Sequence, residues 1–249
     1  MAKAAFHLTV SECKRLIAKG VAALPEVRHA LKDGTIAVCK GSTNAYVVEE
    51  LLGRGIVKAT YLTGNTQPAK GASPLPTERI PDVVLRNGEP VDGLTAIAAA
   101  AKMGPGDVLI KGANALSHDG RMAGVLVGDP TGGTVGNTAG HIIGKGITQI
   151  IPVGLEKTIP GDLWDVAEAV NEPDDLVGSI PRLWISQGFI VTEVEAVFAL
   201  TGADASPMAA GGINGAEGAV WLLVQGELDR VQAAVKLAES LYGEPPFGA

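Results

Sequence analysis

The feature that most constrains this chain is a recurring pairing. A short apolar run of strand length ends in a polar, glycine-bearing loop, and a helix-patterned stretch follows. The clearest instance is Thr35-Ile-Ala-Val-Cys39, then Lys40-Gly-Ser-Thr-Asn44, then Ala45 to Leu52. Strand, loop and helix in that order make the βα unit of an α/β domain. Further apolar runs at 57–62, 82–85, 107–110, 122–127 and 147–153 read as strands, and 94–103 and 163–170 read as helices. Hydrophobic residues make up 46% of the chain but aromatics only 4%, so the core is built from Val, Ile, Leu and Ala. That suits strands buried on both sides. The expected fold class is α/β, with a Rossmann-like, mostly parallel sheet carrying helices on both faces.

Local signals sharpen the outline. Ser11 reads as an N-cap, with Glu12 in the first turn and Leu16, Ile17 and Val21 on one face. This helix breaks near Pro25 and ends at Asp33-Gly34. Asn87-Gly88 is a tight-turn signal. Residues 66–80, with Pro68, Pro74 and Pro76, read as a loop, and 128–140 as the richest turn segment. Glu49 and Glu50 read as solvated helix positions. Residues 171–182, with Pro173, Asp174, Asp175 and Pro181, read as a linker. Beyond it come a strand at 189–192, a helix at 193–200, a strand at 205–209 that Pro207 confines to an edge, a strand at 219–224 and a helix at 227–241. The order βαββα suggests a small α+β, ferredoxin-like C-terminal domain. The expected division is an α/β domain over 1–175 and a lid or accessory domain over 183–249.

Charge and cysteine usage narrow the partners. The net charge is −7 and no Lys/Arg run is present, which argues against nucleic acid. Cys13 and Cys39 form no Cys-x-x-Cys pair, so neither a zinc nor an iron–sulfur site is expected, and two unpaired thiols fit a reducing compartment. The opening residues lack a signal-peptide apolar stretch, and no apolar run approaches the roughly 20 residues of a membrane helix. A cytoplasmic location is expected, with no membrane partner, no metal and no cofactor; a homo-oligomer stays open.

Four segments have the chemistry of a site. Lys40 to Asn44 offers backbone N–H groups, two hydroxyls and the positive end of a helix dipole to a phosphate or carboxylate. The same string serves equally as a plain N-cap. At 107–120 a strand ends in small residues with Lys111, Gly112, Asn114, His118 and Asp119 near its carboxyl end, where open α/β sheets place their sites. His118-Asp119-Gly120 reads as a surface turn. The third segment, 128–141, is rich enough in glycine and hydroxyls to wrap a polar ligand, but it lacks the Gly-Lys-Ser/Thr of a Walker loop. The fourth, 209–218, reads equally as a lid loop or as a hairpin between strands.

The stretch 107–114, Asp119-Gly120, the following apolar strand, the glycine-rich loop and Thr148 to Val153 resemble the core of the NagB/RpiA/CoA-transferase-like superfamily. Its members include ribose-5-phosphate isomerases, other sugar-phosphate isomerases and LUD domains. Gly41-Ser-Thr43 resembles a phosphate-cradling loop. Ala113-Asn-Ala, with four residues between it and Gly120, resembles a Gly-Ala-Asp-Ala…Gly run. The resemblance spans about residues 30–160. It implies that Lys40, Gly41, Ser42, Thr43 and Asn44 hold an anion. Gly112, Asn114, Gly132, Gly133, Thr134, Asn137 and Thr138 would hold the body of the ligand. Lys40, Lys111, Asp119 and Glu156 are then the candidates for charge or proton work. The chain departs from the family at Asn114, where the isomerases carry an acid, because an amide cannot exchange a proton as a carboxyl does. No glutamate matches the CoA-transferase nucleophile. The expected function is binding of a small phosphorylated or carboxylated metabolite, with isomerase- or transferase-type turnover. The rival is a non-catalytic ligand-sensing or regulatory protein using the same pocket.

Overall fold

The structure, a computed structural model, describes residues 1–64, 66–67, 75–119, 121–172 and 175–248. Pro68 and Pro74 of the expected loop, Gly120 of the expected turn, and Pro173 and Asp174 of the expected linker lie outside the described residues. The chain starts with β1 (Ala2–Leu8), α1 (Val10–Ala23), α2 (Pro25–Asp33), β2 (Thr35–Val38) and α3 (Ser42–Leu52). Then come β3 (Val83–Arg86), β4 (Glu89–Pro90), α4 (Ala96–Ala100), β5 (Val108–Ile110), β6 (Ala115–Ser117) and β7 (Met122–Val127). The middle of the chain continues with α5 (Gly133–Lys145), β8 (Thr148–Pro152) and α6 (Leu163–Asn171). Last are β9 (Arg182–Ser186), β10 (Phe189–Val191), α7 (Glu193–Thr201), β11 (Asp204–Ala210), β12 (Val220–Gly226) and α8 (Leu228–Leu241).

The architecture is mixed α/β with three sheets. The central one has the order β10-β8-β5-β2-β3-β4. Strands β10, β8, β5 and β2 run parallel, and β3 and β4 add an antiparallel margin. Alternation along the strands sends side chains to two cores. Ile36, Val38, Val108, Ile110 and Leu85 join the large core with α1, α2 and α3. Ala37, Leu109 and Val84 join a second core under α4, with Ile142 of α5 packed against it. Both faces of the sheet are therefore covered. A second sheet, β6-β7-β9, packs Ala115 and Leu183 against Leu163 and Ala167 of α6. The third has the order β1-β12-β11. Among the described residues no helix is long and apolar enough to cross a membrane.

Several local expectations are corrected. The N-cap of α1 is Thr9, not Ser11, and its N–H donates to the Glu12 carboxylate at 2.8 Å. Residues 57–62 are no strand; Lys58–Thr60 form a single 3-10 turn. Beside it, Tyr61 donates its hydroxyl to the Val38 carbonyl (2.6 Å) and accepts from the Val83 N–H (3.0 Å), while β3 takes the edge of β2. The glycine-rich segment 128–140 is a loop only as far as Gly132, beyond which α5 runs. Glu49 is buried and ion-paired to Arg15, which also pairs with Glu50 and Glu244. Pro207 does lie on an edge strand, with a register shift beside it.

Strand pairing crosses the boundary expected near 175–183. β9 pairs with β7 and β10 extends the central sheet, so the expected βαββα unit does not form one sheet. Its place as partner of β12 is taken by β1, from the start of the chain.

Candidate functional site

A cleft of about 830 Å³ opens over the carboxyl ends of the central parallel strands, where side chains and loops are free of the hydrogen-bond ladder. Three neighbouring strands each send a lysine to it. Lys40 follows β2, Lys111 follows β5, and Lys157 closes the 3-10 turn after β8. Lys14 reaches the cleft from α1. Among the described lining residues, these four lysines face a single acid, Asp129.

Two helices start at the wall. α3 is capped by Gly41, which makes no side-chain bond to the first turn, and Ala45 is the first N–H to bond back, to the Gly41 carbonyl at 2.9 Å. α5 is capped by Gly132, whose φ of 85° lies in the left-handed region that glycine tolerates. Asp129 occupies the approach to α5. Its Oδ1 accepts from the Thr131 hydroxyl at 2.6 Å, the Thr131 N–H at 2.8 Å and the Gly133 N–H at 3.3 Å, and these bonds, the hydroxyl's first, hold its carboxyl below the usual range. Asn44 ties the floor together. Its Nδ2 donates to the carbonyls of Cys39 (2.8 Å) and Ile110 (3.4 Å), bridging the ends of β2 and β5. Its Oδ1 and the Thr43 Oγ1 are buried without a hydrogen-bond partner among the described residues.

The lysines differ in how they are held. Lys111 donates to the Gly112 carbonyl at 3.0 Å and Lys157 to the Ala113 carbonyl at 2.8 Å. The Lys14 ammonium lies 5.6 Å from the centre of the Phe247 ring. Burial pushes the pKa of all three down, and Lys157 lowers Lys14 and Lys111 further by like-charge repulsion. Behind them lies a carboxyl pair. Glu193 is fully buried, accepts from the Leu155 N–H at 2.9 Å, and is pushed up to about 7 by burial and then by Glu156. The Glu156 carboxylate folds back over Gly154, where any side chain would collide with it.

Of the residues expected from sequence, Lys40, Gly41, Ser42, Thr43, Asn44, Lys111, Gly112, Asn114, Gly132, Gly133 and Thr134 line the cleft. Asn137 and Thr138 do not. They sit further along α5 and bond to the carbonyls of Gly133 and Thr134. Asp119 lies in the β6–β7 turn, fully exposed beside His118. Glu156 lies behind the lining rather than in it. Asn114 lines the wall while its Oδ1 accepts from the Leu126 N–H at 3.0 Å. The segment 209–218 includes the turn of the β11–β12 hairpin.

Sequence reasoning missed Lys14 and Lys157. Both left a trace: Lys14 is a charge on the apolar face of α1, and Lys157 closes the turn after an apolar strand. Phe247 left none. No family model, curated protein or solved structure matches the chain.

Proposed function

We propose that the cleft binds a small metabolite carrying phosphate or carboxylate groups. The observation that carries this reading is that, among the described residues, four lysines and one aspartate line it, in a chain of net charge −7. Crowding ammonium groups where burial already disfavours their charge costs stability, and a bound anion offsets that cost. On this reading Lys111 and Lys157 hold the anion, helped by the N–H groups at the start of α3. The Rossmann-like frame is the parallel run β10-β8-β5-β2. The ferredoxin-like C-terminal part of this proposal is reduced to β11 and β12 with α7 and α8, and its sheet is completed by β1 from outside the expected domain. Membership of the NagB/RpiA/CoA-transferase-like superfamily belongs to the same proposal and rests on the loops at 40–44 and 111–114, which stand at adjacent strand ends.

A second reading, a ligand sensor without turnover, has its own support. The one acid in the described lining is committed to the α5 entry loop, and Asn114 is committed to β7.

The test is thermal-shift and calorimetric titration with inorganic phosphate, ribose 5-phosphate, citrate, a CoA thioester and a nucleotide. A ligand at about 100 times its Kd adds about 2.7 kcal/mol, a rise of roughly 5–10 °C in Tm for a chain of this size. Lys111→Met and Lys157→Met are each expected to weaken an anion by about tenfold to a hundredfold, the worth of a charge-assisted bond. Anion binding is also expected to take up protons, because it restores charge to ammonium groups whose pKa burial has lowered. Silence across the panel would overturn the reading.

A further inference from the structure

We propose that Lys14 is an amine nucleophile that forms an imine with the carbonyl carbon of an anionic aldehyde or ketone. The proposal rests on the reading that the cleft takes anions, and it narrows the ligand class to carbonyl compounds.

The lysines of the cleft are not equivalent. Lys111 and Lys157 each donate to a main-chain carbonyl, which fixes where their Nζ atoms stand. Lys14 forms no hydrogen bond and no ion pair among the described residues, although it lies on the buried face of α1. An ammonium in such a place is costly to keep, and a hydrophobic residue would pack there at no such cost. The Lys14 Nζ stands 5.6 Å from the centre of the Phe247 ring, and its side chain lines the open cleft. Burial is the largest influence on Lys14 and favours the neutral, nucleophilic amine; Glu156 acts against it and Lys157 with it. Among the surrounding acids, Glu156 acts on Lys14 most strongly, and its Oε2 is buried with no hydrogen-bond partner among the described residues.

The step balances without an oxidant or reductant. The Nζ, in its neutral form, adds to the carbonyl carbon, and its surplus proton passes to water in the cleft. The carbinolamine oxygen takes up that proton and one more from the nitrogen, and leaves as water. Amine plus carbonyl gives imine plus one water. Lys111 and Lys157 hold the anionic group during the exchange.

The experiment incubates the full chain with glyoxylate, pyruvate or ribose 5-phosphate and then adds sodium borohydride, which delivers hydride to the imine carbon and fixes the adduct as a secondary amine. Intact-mass and peptide-map spectrometry should find one adduct, at Lys14, heavier by the probe less one oxygen atom. Lys14→Met and Lys14→Arg should abolish it, and Lys111→Met should reduce its yield without moving it. Lys14→Met should also melt higher than the parent, so loss of the adduct would not reflect misfolding. Adducts spread over exposed lysines, or none while calorimetry shows the probe bound, would overturn the proposal. Inorganic phosphate, titrated in parallel, separates the two claims. If phosphate binds and no adduct forms, the imine falls and the anion cleft stands; if neither is seen, both fall.

Discussion

Glu193→Gln is expected to stabilise the protein at alkaline pH and to leave it unchanged in acid. Glu193 opens α7, is wholly buried, and has its pKa raised from 4.5 to about 7, first by burial and then by the neighbouring Glu156. A carboxyl with a raised folded-state pKa holds its proton in the native state after the unfolded chain has released it. Between those two values the native state binds more protons, so stability falls as pH rises through the window. At about 1.4 kcal/mol per unit the loss is about 3 kcal/mol, complete above the folded pKa. Glutamine keeps an oxygen to accept from the Leu155 N–H, now at 2.9 Å, and carries no charge at any pH. Denaturant unfolding of parent and variant from about pH 4 to about pH 8 isolates the effect, because every other titrating group is shared. The two should agree at the acid end and diverge by about 2–3 kcal/mol at the other. Parallel stability curves would refute the reasoning, since they would mean that the buried carboxyl titrates like a free one.

Three further outcomes are expected. In Gly20→Ala the new Cβ would lie 2.5 Å from the Ala196 Cβ, forcing α1 and α7 apart at a cost of about 1–3 kcal/mol; an unchanged denaturation midpoint would refute that packing. Asn44→Leu removes the donor shared by the Cys39 and Ile110 carbonyls and should cost about 1–3 kcal/mol by the same assay, with no loss counting against the bridge. Cys13 and Cys39 are buried, and burial raises Cys13 well above the ordinary thiol range and Cys39 to about 12. A disulfide reagent should therefore label them only as the protein unfolds, and a fast native reaction at either would contradict the structure.

The sequence determined those parts of the fold that depend on local chemistry. The strand at 35–38 and the helix after it, the strands within 107–110 and 147–153, and the Asn87-Gly88 turn are all present, although the helix starts at Ser42, so that Ser42, Thr43 and Asn44 of the expected loop are its first turn. Apolar alternation, helix periodicity and left-handed turn residues act over a few neighbours and are legible without the rest of the chain. Eleven of the fifteen candidate residues line one cleft; those after β2 and β5 meet because the carboxyl ends of adjacent parallel strands lie side by side, whereas Gly132, Gly133 and Thr134 are brought there by β7 of a separate antiparallel sheet.

Tertiary structure decided the rest. The run 57–62 has strand composition, but β3 holds the edge of β2 and Tyr61 bonds across to both strands, so no ladder remains for it to join. Residues 133–140 have turn composition, yet helix α5 forms there because packing against the sheet and α4 outweighs the low helix propensity of glycine. No local pattern links β1 to β12, more than two hundred residues away. The same distance hid the chemistry of the cleft: Lys14, Lys111 and Lys157 become one cluster only where a helix crosses the ends of parallel strands. A lysine's charge can be read from the sequence, but its burial and its neighbours are set by long-range packing.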